Sequence, residues 1–194
     1  MQSCMVFVWC ATEKSRCAGV GDDKSQQPTT EEIFDNAYSN DYYEAELDEQ
    51  DRLYLNNRLS TGDKPYFEFY GENYVCHRTQ CSAIEVTAPA NSDIVVIIKR
   101  NNEQGKVMSH AYIRAGKKYT FDLPNGTFQP FFYYGEGWNP NKEMGNGIKG
   151  GFVKDEAFSK DNPQVIEDCV LSYVLQLQKD GNFQTKGSNR SEMF

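Results

Sequence analysis

The alternation of polar and apolar positions changes character partway along this chain. Over residues 1–40 no apolar period holds, and residues 22–32 (DDKSQQPTTEE) are almost wholly polar. Such a segment buries too little to offset the entropy of ordering it, so a flexible, disordered N-terminal tail is expected. Between Asp41 and Leu59, the residues Tyr43, Leu47 and Tyr54 share one helical face, and Glu44 and Asp48 sit where a helix dipole favours acids. Thr61, Gly62 and Asp63 stop this helix and Pro65 bars its resumption, which predicts a short helical linker over 41–61.

After Pro65 the rhythm shortens to a period of two. Tyr66, Glu68 and Tyr70 alternate with Phe67 and Phe69, which reads as a strand able to bury either face. Residues 83–87 (AIEVT) alternate cleanly, and residues 94–98 (IVVII) form the continuous β-branched run of a strand covered on both sides. Residues 101–105 (NNEQG) signal a hairpin whose return strand is 107–113. Ala115 and Gly116 turn the chain into an alternating strand over 119–123, and Pro124, Asn125 and Gly126 form a tight turn into a strand over 127–134. The glycine-dense stretch 135–153 reads as a long irregular loop. A strand over 171–177 turns back at Asp180 and Gly181 into 182–185, and residues 188–194 read as a polar tail.

Short strands with no alternating helices predict an antiparallel β-sandwich or open barrel over 62–187, the sandwich being the preferred reading. Residues 115–128 (AGKKYTFDLPNGTF) resemble the strand–turn–strand signature of prealbumin-like sandwich modules. More broadly, residues 62–185 are similar to small β domains of Bacteroidetes-type bacterial proteins, through the paired cysteines, the run 110–113 (HAYI) and the run 130–141 (PFFYYGEGWNPN). The resemblance implies a prealbumin- or Ig-like fold and brings no activity with it.

Charge narrows the function. A net charge of −8 without a basic patch argues against nucleic acid, whose phosphates repel such a surface. The apolar run Met5–Ala11 is too short to span a bilayer and lacks a basic lead; only with a start further upstream would it be the end of a signal peptide or anchor, associating the chain indirectly with a membrane.

Cys76 and Cys81 admit three readings. They can close a hairpin as a disulfide, they can join His77 and the distant His110 or Cys169 around zinc, or they can remain free thiols in a reducing compartment. The disulfide is the preferred reading, with no metal or cofactor, and Cys169 is expected as a buried small hydrophobe. A Cys81–His110 nucleophilic pair lacks any local supporting motif, and the loop acids Glu136, Glu143, Asp155 and Glu156 lack calcium-loop spacing. Tyr133, Tyr134, Trp138, Asn139 and Asn141 form the candidate binding platform, unless Trp138 folds back to plug the end of the domain. The expected function is a non-catalytic binding or structural module, exported or envelope-associated, taking a protein or carbohydrate ligand at its loop end. Two alternatives are a hydrolase built on Cys81 and His110 or the loop acids, and an intracellular accessory domain.

Overall fold

The structure, a computed structural model, describes residues 47–77, 81–176 and 186–194. The expected tail over 1–40, the start of the 41–61 helix and the strand over 182–185 lie outside the described residues.

The described chain is mainly β, arranged as two sheets. The smaller has the order β4 (Lys118–Leu123), β1 (Ser82–Thr87), β8 (Val170–Val174). The larger runs β3 (Val107–Ile113), β2 (Asp93–Arg100), β5 (Gly126–Gly145), β6 (Ile148–Lys160), β9 (Lys186–Gly187), and β7 (Gln164–Ile166) also pairs with β5. Pairing is antiparallel except between β1 and β8, which run parallel. Period-two patterning marks strands without ordering them, so this parallel pair was outside its reach. The turn at 124–126 likewise joins no hairpin: it carries the chain from β4 in one sheet to β5 in the other.

Alternation places the core. Ile84, Val86, Phe121, Leu123, Leu171 and Tyr173 of the small sheet meet Ile94, Val96, Ile98, Ala111, Ile113 and Phe132 of the large one in a common buried cluster. The opposite residues of the large sheet, Val95, Ile97, Tyr112, Phe131, Tyr133 and Phe152, form a second cluster with Tyr66, Trp138 and Met193. That explains why seven of the eight β2 side chains are buried. A bulge between Ile98 and Lys99 shifts the register of β3, so Met108 packs in the first cluster and Tyr112 in the second, although uninterrupted alternation would place them on one face.

Four segments depart from the sequence expectations, the first three through short helices. Within the expected 41–61 helix only α1 (Glu49–Arg52) is helical among the described residues, capped by the Asp48 side chain. The expected strand over 66–70 is instead α2 (Phe67–Tyr70). A strand would align Glu68 with Tyr66 and Tyr70 on one buried face. The helical turn bonds the Tyr70 N–H to the Tyr66 carbonyl at 3.0 Å, buries Tyr66 completely and leaves Glu68 exposed. The polar tail expected over 188–194 contains α3 (Arg190–Met193), capped by Asn189, with Met193 fully buried.

The segment 57–74 also covers the free edge of β3. Gly62 N–H donates to the Tyr112 carbonyl and Tyr112 N–H to the Asp63 carbonyl, both at 2.8 Å. The Asn73 side-chain amide accepts from His110 N–H and donates to its carbonyl, both at 2.9 Å. Tyr74 N–H reaches the Met108 carbonyl at 3.0 Å. An edge strand left bare would template pairing with another chain; here its outward groups are satisfied by loop and side-chain partners.

The glycine-dense stretch 135–153 is a hairpin of β5 and β6, closed by Asn146 and Gly147 at φ 52° and 77°. Both central residues of a two-residue hairpin turn of this kind need positive φ, which Asn-Gly supplies cheaply. Gly135 and Gly150 make room for rings. A Cβ on Gly135 would lie 2.3 Å from Phe152 Cβ, and one on Gly150, at φ +107°, would lie 2.8 Å from Trp138 Cζ2.

Candidate functional site

Four segments converge at one end of the large sheet: the turn after α1, the β1–β2 loop, the β3–β4 turn and the first bulge of β5. They enclose a cavity of about 370 Å³ lined by Asn56, Arg58, Asn91, Ser92, Asp93 and Glu136, among others. The side chains of Asn56, Asn91 and Glu136 are exposed and carry no hydrogen bond among the described residues.

Its base is the Asp93 carboxylate, which opens β2 and is only 3% exposed. Arg58 grips both carboxylate oxygens, through Nε at 2.6 Å and through Nη2. Tyr112 Oη donates to one oxygen and the Ala115 N–H donates to the other at 2.7 Å. Burial pushes the carboxyl up, but the Arg58, Tyr112 and Ala115 donors outweigh it and hold Asp93 below the usual carboxylate range. Asp93 in turn holds the Arg58 guanidinium charged, and burial with the adjacent carboxylate drives the Tyr112 hydroxyl well above the phenol range. Next to it, Ser92 Oγ accepts from the Gly135 N–H at 3.1 Å. The cavity walls are therefore tied together before any ligand arrives.

The expected platform residues do not share a surface. Tyr133 faces the second cluster at 0% exposure and Tyr134 the first at 2%, because adjacent strand residues point to opposite faces. Trp138 is 2% exposed, packed edge-on to Tyr112 and Phe152, and thus fills the domain end rather than presenting a ring. Asn139 is buried and bonds Asp51 at 2.8 Å; Asn141, which is exposed, reaches the Tyr54 hydroxyl. The aromatic platform is a miscount of exposure: its rings are core.

A disulfide joins Cys76 and Cys81, whose Cα atoms are 6.1 Å apart, so Cys81 offers no thiolate to a substrate or metal. Cys169 is buried as expected. His110 is 1% exposed, accepts from the Tyr66 N–H at 3.3 Å and stacks on Tyr66; burial, with Lys64 adding, lowers it to about 4 and keeps it neutral. The loop acids part company. Glu143 pairs with Lys149, Asp155 with Lys154, and Glu156 with Lys142 and Arg190 beneath the Tyr133 hydroxyl, while Glu136 faces the cavity. Among the described residues no group of three His, Cys, Asp or Glu side chains is arranged to hold a metal ion, and no helix is long and apolar enough to cross a membrane.

Sequence reasoning missed Asp93 and Arg58. The available signal was an acid placed directly before a β-branched run, where only a paired carboxylate is tolerated. No protein-family model, no curated protein and no solved structure matches the chain.

Proposed function

We propose that this protein is a non-catalytic binding module of β-sandwich type that takes a hydroxyl-rich ligand, a carbohydrate, in the cavity at the loop end. The observation that carries the reading is the rim of that cavity: the amides of Asn56 and Asn91 and the carboxylate of Glu136 are unspent, and Asp93 braces the wall behind them. Planar amides and carboxylates offer donors and acceptors to vicinal hydroxyls, and a braced wall lowers the ordering cost of binding. A common core between the two sheets supports the sandwich. The Cys76–Cys81 disulfide supports an exported or envelope-associated location, because such bonds persist in oxidising compartments. The acidic surface disfavours nucleic acid.

Against the hydrolase alternative stand the bonded Cys81, the enclosed His110 and the separate ion pairs of Glu143, Asp155 and Glu156. Screening the purified protein on an oligosaccharide array, then titrating the best binder by calorimetry, tests the proposal. The Asn91→Ala/Glu136→Gln double variant is expected to weaken binding at least about tenfold, which corresponds to about 1.4 kcal/mol. An unchanged affinity, or hydrolysis of the bound sugar, would sink it.

A further inference from the structure

A second cavity lies on the covered outer face of the large sheet, between α2, the β2–β3 turn and α3. It measures about 490 Å³, within the range of about 300–1,000 Å³ usual for small-molecule sites. Tyr70, Val107 and Phe194 give it apolar walls, and Lys99, Lys106 and Ser191 contribute polar ones.

The floor of this groove carries an unusual cation. Lys99 is only 7% exposed, and its ammonium donates to two backbone carbonyls, those of Glu103 at 2.9 Å and Glu192 at 2.8 Å. It lies 4.9 Å from the centroid of the Phe131 ring. The carboxylates of those same glutamates turn away to Lys160, at 2.8 and 3.0 Å. An ammonium group has three donors, so with two given to carbonyls one remains for whatever occupies the groove. Lys106, on the rim, forms no ion pair among the described residues. Glu103 and Glu192 also line the groove, but Lys160 takes up both carboxylates, so neither ammonium of the lining, Lys99 or Lys106, has a carboxylate within ion-pairing distance. A buried charge without an opposite partner is costly, and a ligand anion would relieve it.

We propose that this groove binds an amphipathic monocarboxylate, with its carboxylate at Lys99 and Lys106 and its apolar body between Tyr70, Val107 and Phe194. The site is distinct from the loop-end cavity and stands whether or not that cavity takes a sugar.

Calorimetric titration of the full chain with 4-phenylbutyrate and with its neutral counterpart 4-phenylbutanamide tests it. Saturable binding of the acid, at least about tenfold tighter than the amide, is expected. Ser191→Trp, which fills the groove from its exposed rim, should abolish binding, and Lys106→Gln should weaken the acid severalfold while leaving the amide unchanged. Lys99→Met should remove most of the remaining preference for the acid; should that variant not fold, the two rim variants decide the matter. Asn91→Ala, at the other cavity, should leave the titration unchanged. No saturation at about 10 mM ligand, ten times a weak ~1 mM dissociation constant, overturns the proposal. So does equal affinity for acid and amide, or binding that survives Ser191→Trp.

Discussion

Removing the Arg58 guanidinium is the sharpest test of how the loop end is held together. Asp93 accepts four hydrogen bonds, two of them from Arg58 and the others from Tyr112 and the Ala115 N–H. In Arg58→Ala the carboxylate, only 3% exposed in the wild type, keeps just the last two donors. A hydrogen bond involving a charged group contributes about 1.5–3 kcal/mol, so two would give about 3–6 kcal/mol if fully buried. Arg58 is 45% exposed, and solvent screening cuts its share, leaving an expected loss of about 2–3 kcal/mol. Arg58→Lys, which can supply one donor where arginine supplies a fork, should recover about half of that. Urea unfolding at pH 7 measures both, with an unchanged m-value confirming that stability and not compactness has moved. The pH dependence has a fixed sign. Asp93 titrates lower in the folded than in the unfolded chain, so its contribution is full above the ordinary carboxylate value of about 3.9 and is lost as pH falls through the depressed folded value. The gap between wild type and Arg58→Ala should therefore hold from pH 7 to about 5 and narrow below about 4. A loss under about 0.5 kcal/mol, or a gap that persists undiminished to pH 2, would refute the argument that this pair braces the site.

Three further outcomes follow from buried groups and from backbone. His110 is lowered from 6.5 to about 4, so its neutral burial stabilises fully above about pH 6.5 and is lost as pH falls toward 4, by about 3 kcal/mol in all; His110→Gln should flatten that limb of the pH–stability curve, and an unaltered slope would assign it elsewhere. Gly150→Ala meets both a positive φ and the Trp138 ring, and should lower stability by about 2 kcal/mol or more in thermal unfolding, whereas Gly147→Ala, with nothing within 4 Å, should cost only its backbone strain of about 1 kcal/mol. Replacing Cys76 and Cys81 by Ser opens a loop of separation 5, for which chain entropy gives about 2 kcal/mol; a change near zero would mean the unfolded chain is already constrained there.

The elements that could be read from sequence were those whose side chains carry the period. β2 announces itself by five consecutive β-branched residues, and β1 and β4 by alternation against a solvated outer face, where Glu85 and Lys118 pair across the strands. The β5–β6 hairpin was hidden because Gly135, Gly137, Gly150 and Gly151 carry no side chain to register a period, although each has backbone or a neighbouring side chain where its Cβ would stand. Tyr66 to Tyr70 misled in the opposite way: five residues of aromatic alternation fit a strand, yet the need to keep Glu68 in water selected a helical turn. α3 offered only Met193 and Phe194 as apolar residues, too few to show a face before the sheet that buries them is known. The site was harder still. Asp93 and Arg58 are 35 residues apart, and nothing local to either implies the other.

The segments that hid from sequence reading are also those that wall both cavities, and this couples ligand binding to local opening. The turn after α1 closes the loop-end cavity, while α2 and α3 close the groove. Each is short, with few buried side chains of its own: none in α1 or α2, and Met193 in α3. Such elements open locally at free energies well below global unfolding. A ligand that binds only the closed form adds RT ln(1 + [L]/Kd) to that opening cost, about 2.7 kcal/mol at a hundredfold excess over Kd, or about a hundredfold slower amide exchange. Hydrogen exchange with saturating 4-phenylbutyrate should thus slow the amides of α2 and α3 and leave those around Asn56 and Arg58 unchanged. An oligosaccharide should do the reverse. Slowing spread evenly over both sets would mean that the outer face opens as one unit, and that the two cavities are energetically a single site.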